Sequence, residues 1–86
     1  MLGSKRTLLE ILSSLLAVLE DNPCKKTALT TKANLDSKAS RRYIDYLLQN
    51  GLISRDGDNF RITEEGRDFL KEYRKLEQFT THSALR

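Results

Sequence analysis

The chain has 86 residues, of which 38% are hydrophobic and 31% charged, and a formal net charge of +3. That length makes one domain with a modest core, and no apolar run approaches the ~18 residues of a membrane span. A lone Cys24 and a lone His82 exclude an internal disulfide and give no zinc-ligand spacing, so neither a metal nor another cofactor is expected.

The opening stretch, "MLGSKRTLLEILSSLLAVLE", has cations followed by leucines, the outline of a signal peptide. Glu10 interrupts its apolar run and no small-residue cleavage site follows, so a cytoplasmic chain is expected. Leu8, Ile11, Leu12, Leu15, Val18 and Leu19 recur at helical spacing, which predicts a first helix from Ser4 or Lys5 to about Glu20, with Ser4 as its cap. Leu9 and Leu16 widen the stripe beyond one packing face. Asp21–Asn22–Pro23 ends the helix, because proline cannot donate into the hydrogen-bond ladder. Cys24 is read as a half-buried loop thiol.

A short second helix fits Lys26 to Lys32 or Ala33, with Leu29 and Ala33 inward at i and i+4. A tight turn follows, in which Asn34 can take a left-handed backbone and Leu35 plugs the core. Asp36 caps a third helix, over 36–50. Ser40, Ile44, Leu47 and Leu48 share its inner face, with Tyr43 on the flank, and Gly51 fits the left-handed position just past its end.

"LISRDGDNFRIT" reads as strand, turn and strand, with Asp56–Gly57–Asp58–Asn59 as hairpin-turn chemistry. The turn is not a calcium loop, which needs further oxygen ligands where Phe60 and its successors stand. Thr63 caps a last helix, and Glu64 and Glu65 suit the positive end of its dipole. Phe69, Tyr73, Leu76 and Thr80 step by +4, +3 and +4, and Leu70 broadens the stripe. After Phe79 the periodicity fades, so residues 80–86 are expected to be a flexible tail carrying His82.

Three helices, a hairpin and a closing helix predict a mainly α fold with a small β-hairpin (α+β). This is a winged helix-turn-helix, with its core and wing over 1–63 and a C-terminal dimerisation helix over 64–79. Its second and third helices cross steeply across a short turn, which leaves the third helix one buried and one free face. The free face is basic. Lys25, Lys26, Lys32, Lys38, Arg41 and Arg42 stand against Asp36 alone in that stretch, a local charge of +5 that leaves −2 for the rest of the chain. Such a stretch in a nearly neutral protein points to a polyanion.

In a helix-turn-helix the N-terminal residues of the second helix of the motif enter the major groove. Arginine suits guanine O6/N7, and both arginine and lysine suit phosphates. The expected DNA-binding residues are therefore Lys25, Lys26, Thr27, Ser37, Lys38, Arg41 and Arg42, joined by Arg55 and Arg61 on the strands of the wing. The reading is a double-stranded DNA-binding protein of the cytoplasm and nucleoid, either a transcriptional regulator or an architectural protein. The alternative is a winged helix that docks other proteins. No glycine-rich phosphate loop and no nucleophile–base constellation is present, so no enzyme is expected, and neither is a small-molecule ligand or a membrane partner.

"KTALTTKANL", "YIDYLLQNGLI" and "FRITEEGRDFL" resemble the small archaeal winged-helix proteins of the ten-kilodalton Sulfolobus chromatin-protein type, over about Leu8 to Leu76. The resemblance rests on the register of Asn34–Leu35, Tyr43, Gly51–Leu52 and the trio Thr63, Gly66 and Leu70. It implies a homodimer joined by the last helix in an antiparallel coiled coil and bound to double-stranded DNA. Phe69, Tyr73 and Leu76 would lie at the seam, and Ser37, Lys38 and Arg41 would face the duplex. Independently of the resemblance, Phe69, Leu70, Tyr73 and Leu76 offer more apolar surface than the first helix alone must cover, and isologous pairing is the commonest way to bury such a stripe.

Overall fold

The computed structural model describes the backbone of residues 6–84 and the side chains of residues 6–78. Its elements are α1 (Leu8–Asp21), α2 (Lys26–Lys32), α3 (Ser37–Gln49), β1 (Ile53–Asp56), β2 (Asn59–Ile62) and α4 (Glu64–Ala84). The strands pair antiparallel, with Ile53 opposite Ile62 and Asp56 opposite Asn59. Gly57 has a φ of 65° at the first position of the two-residue turn, where a left-handed residue lets the strands keep their twist.

Helix α1 starts later than the spacing of its leucines predicts. Thr7 and Glu10 form a reciprocal capping box: the Glu10 N–H donates to Thr7 Oγ1 at 3.1 Å, and the Thr7 N–H donates to Glu10 Oε1 at 2.8 Å. Two first-turn donors are thereby satisfied at once. Ser4, the expected cap, lies outside the described residues. Leu8 consequently sits in the overhanging first turn and is exposed, whereas Leu16 is fully buried. The wide stripe is needed because α1 touches α2, α3, β2 and α4.

Helices α2 and α3 end in the same motif. Past α2, Asn34 has a φ of 59°, its N–H donates to Thr31 O, and the Leu35 N–H donates to Thr30 O. Past α3, Gly51 has a φ of 72°, its N–H donates to Leu48 O, and the Leu52 N–H donates to Leu47 O. Each pair of bonds satisfies carbonyls that the helix end would leave open. Leu35 packs half-buried on the core edge. The Asp36 carboxylate then accepts from the Ala39 N–H at 2.8 Å and starts α3.

The core joins Ile11, Leu12, Leu15, Leu16 and Leu19 with Leu29, Ala33, Ile44 and Leu47, and with Ile53, Phe60, Ile62 and Leu70. Cys24 belongs to it too, rather than to a half-buried loop. Its N–H donates to Phe60 O at 3.2 Å and its carbonyl accepts from the Phe60 N–H at 2.8 Å, a one-residue bridge that adds the α1–α2 connector to the hairpin. That long-range pairing fixes where α2 begins relative to the wing.

Thr63 joins α3 to α4. Its hydroxyl donates to Gly51 O at 2.7 Å and accepts from the Gly66 N–H at 3.0 Å. Gly66 lies where α4 passes over Leu52 and Ile62, and a Cβ there would overlap the Leu52 carbonyl oxygen. Leu70, expected on an intermolecular seam, is only 2% exposed and belongs to this chain's own core. Phe69 packs partly buried against that core. Helix α4 also runs through Ala84, past the expected boundary at Phe79. The sequence there has no glycine or proline to stop the ladder, and a helix propagates residue by residue without apolar periodicity. The side chains of 79–86, Thr80 and His82 included, lie outside the described residues.

Candidate nucleic-acid interface

The two faces of α3 separate as its sequence dictates. Ser40, Ile44 and Leu47 are buried, and Ser37, Lys38, Arg41, Arg42 and Asp45 are exposed. Ser40 is held inside by a 2.6 Å hydrogen bond between its hydroxyl and that of Thr30 on α2. This polar contact fixes how far α3 turns about its own axis, and so which residues it presents outward.

The expected cations collect from three elements. Lys26 of α2, Arg41 of α3 and Arg55 of β1 line one shallow depression of about 260 Å³, floored by Ile44 and Phe60, with Asp45 on its rim. A second depression of about 140 Å³ continues along the α2–α3 seam, lined by Lys26, Thr27, Thr30, Thr31 and Ser37. Lys26 is common to both, and its Nζ reaches Ser37 Oγ at 3.5 Å. Lys25 is exposed at the α2 cap position, where it supplies no side-chain hydrogen bond to the first turn. Lys38 and Arg42 flank Arg41 on α3.

None of Lys25, Lys26, Lys38, Arg41 or Arg42 takes part in an ion pair among the described residues, where the pairs are Arg61–Asp56, Arg74–Glu20 and Lys75–Glu72. Cations left without carboxylate partners keep their full attraction for an external anion.

The two wing arginines do not act together. Successive strand residues point to opposite faces, and Arg55 pairs across the hairpin with Phe60 whereas Arg61 pairs with Ser54. The Arg55 guanidinium lies 5.0 Å from the Phe60 ring centroid, a cation–π contact that holds it over the α3 side. Arg61 is on the other face, bonded to Asp56 Oδ2 at 3.1 Å. The two depressions bring together five of the nine expected residues, Lys26, Thr27, Ser37, Arg41 and Arg55. Lys25, Lys38 and Arg42 are exposed outside them, and Arg61 is set apart on the other face of the hairpin. Asp45, which lines the same depression, was not among them. Its signal was its place four residues after Arg41, on the same ridge of the helix.

Residues 5–81 match the family model described as winged helix-turn-helix. The chain belongs to the winged helix-turn-helix family. It is 33% identical over 72 residues to the uncharacterized protein MJ0287 of Methanocaldococcus jannaschii, covering 84% of this chain and 74% of that protein. The fold is shared with solved winged-helix structures. Sso10a-2, a DNA-binding protein from Sulfolobus solfataricus, superposes with a TM-score of 0.71 at 22% identity, over 92% of this chain and 90% of that one. The transcriptional regulator BldR from the same organism gives 0.77 at 22% identity, over 87% of this winged helix and 59% of that longer chain. The Sulfolobus type that the sequence resembles is thus met in the fold.

Along α4, Leu76 is 60% exposed. Tyr73 is half-buried beside α1, and burial, then the Glu77 and Glu10 carboxylates, pushes its phenol above the ordinary value of 10.0. Tyr73 therefore stays neutral throughout the physiological range. No helix among the described residues is long and apolar enough to cross a membrane.

Proposed function

We propose that this winged helix binds double-stranded DNA with α3 in the major groove, as a transcriptional regulator or nucleoid protein of the cytoplasm and not as an enzyme. The observation that carries the reading is the convergence of Lys26, Arg41 and Arg55 from three elements on one depression, with no ion pair between these cations and any carboxylate among the described residues. Arg41, Lys38 and Ser37 would meet base edges and the nearest phosphates. Lys25, Lys26, Thr27 and Arg42 would grip the backbone on either side, and Arg55 would extend the contact from the wing. The shared fold of Sso10a-2, a DNA-binding protein, and of BldR, a transcriptional regulator, supports the same reading. A protein-docking winged helix would present an apolar α3 face. Here Tyr46 is the exposed large hydrophobic residue of that helix among the described residues, against a lysine and two arginines.

The second part of the reading is self-association through α4. Leu76 and the outer edges of Phe69 and Tyr73 form its apolar side, and a second copy running antiparallel would cover it symmetrically.

A fluorescence-anisotropy titration of a labelled duplex at several salt concentrations tests the DNA reading. Log affinity should fall linearly with log salt, at a slope of about −0.9 per phosphate neutralised. Absence of saturable duplex binding at low salt would refute the reading.

A further inference from the structure

We propose that Asp45 reads the exocyclic amino group of a cytosine in the major groove, and so sets base preference at one position of the bound duplex; the inference rests on the DNA-binding reading above. Ser37, Arg41 and Asp45 stand at i, i+4 and i+8, so they form one ridge along the exposed side of α3. Asp45 lines the depression with Lys26, Arg41 and Arg55. It nevertheless forms no ion pair with any of them among the described residues. Its charge is therefore not spent on locking an arginine in place.

A face made only for phosphates gains from each cation and loses from a carboxylate, because like charges repel at short range. A carboxylate in the groove needs a donor, and its two oxygens only accept. Guanine O6 and N7 and thymine O4 are acceptors and repel it. Adenine offers an amino group, but its N7 acceptor stands beside it and faces the second carboxylate oxygen. Cytosine offers the N4 amino group with only the non-accepting C5–H beside it on its own ring, the one neighbouring acceptor being O6 of the paired guanine. Cytosine is thus the base that an ionised Asp45 selects, while Arg41, one turn nearer the N-terminus, suits a guanine.

The test is selection from a pool of randomised duplexes, followed by anisotropy on matched sequences, with wild type, Asp45→Asn and Asp45→Ala. Circular dichroism first verifies that both variants keep the helical signal, as expected for substitutions at an exposed helix position. Wild type should favour cytosine at one position by roughly fivefold or more over other bases. Asp45→Ala should lose that preference while preferences elsewhere in the site persist. Asp45→Asn should move it to adenine, whose N6 and N7 match a carboxamide. If Asp45→Ala binds all sequences tighter by one common factor, the carboxylate only repels phosphate and the inference is overturned. If it binds all of them weaker by one common factor, Asp45 only positions the neighbouring arginines, and the inference is equally overturned. Salt-sensitive wild-type binding without any cytosine preference refutes the inference and leaves the DNA reading standing. No duplex binding at all refutes both.

Discussion

Thr30 and Ser40 share a hydroxyl–hydroxyl hydrogen bond of 2.6 Å across the α2–α3 crossing, and Ser40 has no solvent exposure. A bond in that place does more than add stability. It sets the roll of α3, because the side chain on the buried ridge is polar and has one partner within reach. Ser40→Ala leaves the Thr30 hydroxyl without its partner and should destabilise the fold by about 1–2 kcal/mol. Thr30→Val combined with Ser40→Ala should cost less than the two single changes added together, since it removes both groups. Urea denaturation followed by circular dichroism measures all three.

Gly66 illustrates a steric demand on an ordinary helical position. Alanine is the better helix former by roughly 1 kcal/mol in an open helix. At Gly66, however, a Cβ would overlap the Leu52 carbonyl oxygen and lie 2.8 Å from Ile62 Cγ1. Gly66→Ala should therefore destabilise by about 1–3 kcal/mol, the cost of overpacking. An exposed control, Gln78→Ala, should be close to neutral in the same denaturation experiment.

The wing makes a prediction through strand parity. Arg55 shares the depression with Arg41 and Lys26, while Arg61 faces the other way and is bonded to Asp56. Arg55→Ala should lower duplex affinity and reduce the magnitude of the log–log salt slope by about 1. Arg61→Ala should change neither. Equal effects of both would show that the hairpin meets DNA through its tip or edge rather than its α3 side.

Much of this arrangement was legible because its causes are local. Asp36 reads as a cap, and Asn34 and Gly51 as left-handed terminators, since each acts on backbone groups a few residues away. The Thr7–Glu10 capping box was equally local and sat in plain view, overshadowed by the leucine spacing. What periodicity could not give was the width of each buried face. Leu16 and Leu70 are core residues because α1 is surrounded by four other elements, a fact of tertiary structure. The Cys24–Phe60 bridge leaves no pattern at all, being a single residue paired across a long stretch of chain. The separation of Arg55 from Arg61 was within reach, because a two-residue turn at Gly57–Asp58 fixes which strand residues share a face.

Self-association is tested at Leu76, which is exposed by 60% and contributes little to the fold of one chain. Leu76→Glu should leave the unfolding transition of the single chain nearly unchanged and shift sedimentation velocity from dimer to monomer. It should also weaken duplex binding, since a dimer presents two α3 helices and a monomer one. A wild-type protein that sediments as a monomer at high micromolar concentration would exclude the α4 seam.

The most direct measurement compares Arg41→Glu with Lys75→Glu in anisotropy titrations on one duplex at fixed, low salt. Both substitutions change the net charge by the same amount. Arg41 lines the depression shared by α2, α3 and the wing, whereas Lys75 lies on α4 beside Glu72. If α3 occupies the groove, the Arg41 reversal should weaken binding at least about tenfold more than the Lys75 reversal, since it removes a close contact and adds repulsion at the phosphates. Equal losses from the two reversals would mean that only overall charge matters, and would contradict the placement of α3 on DNA.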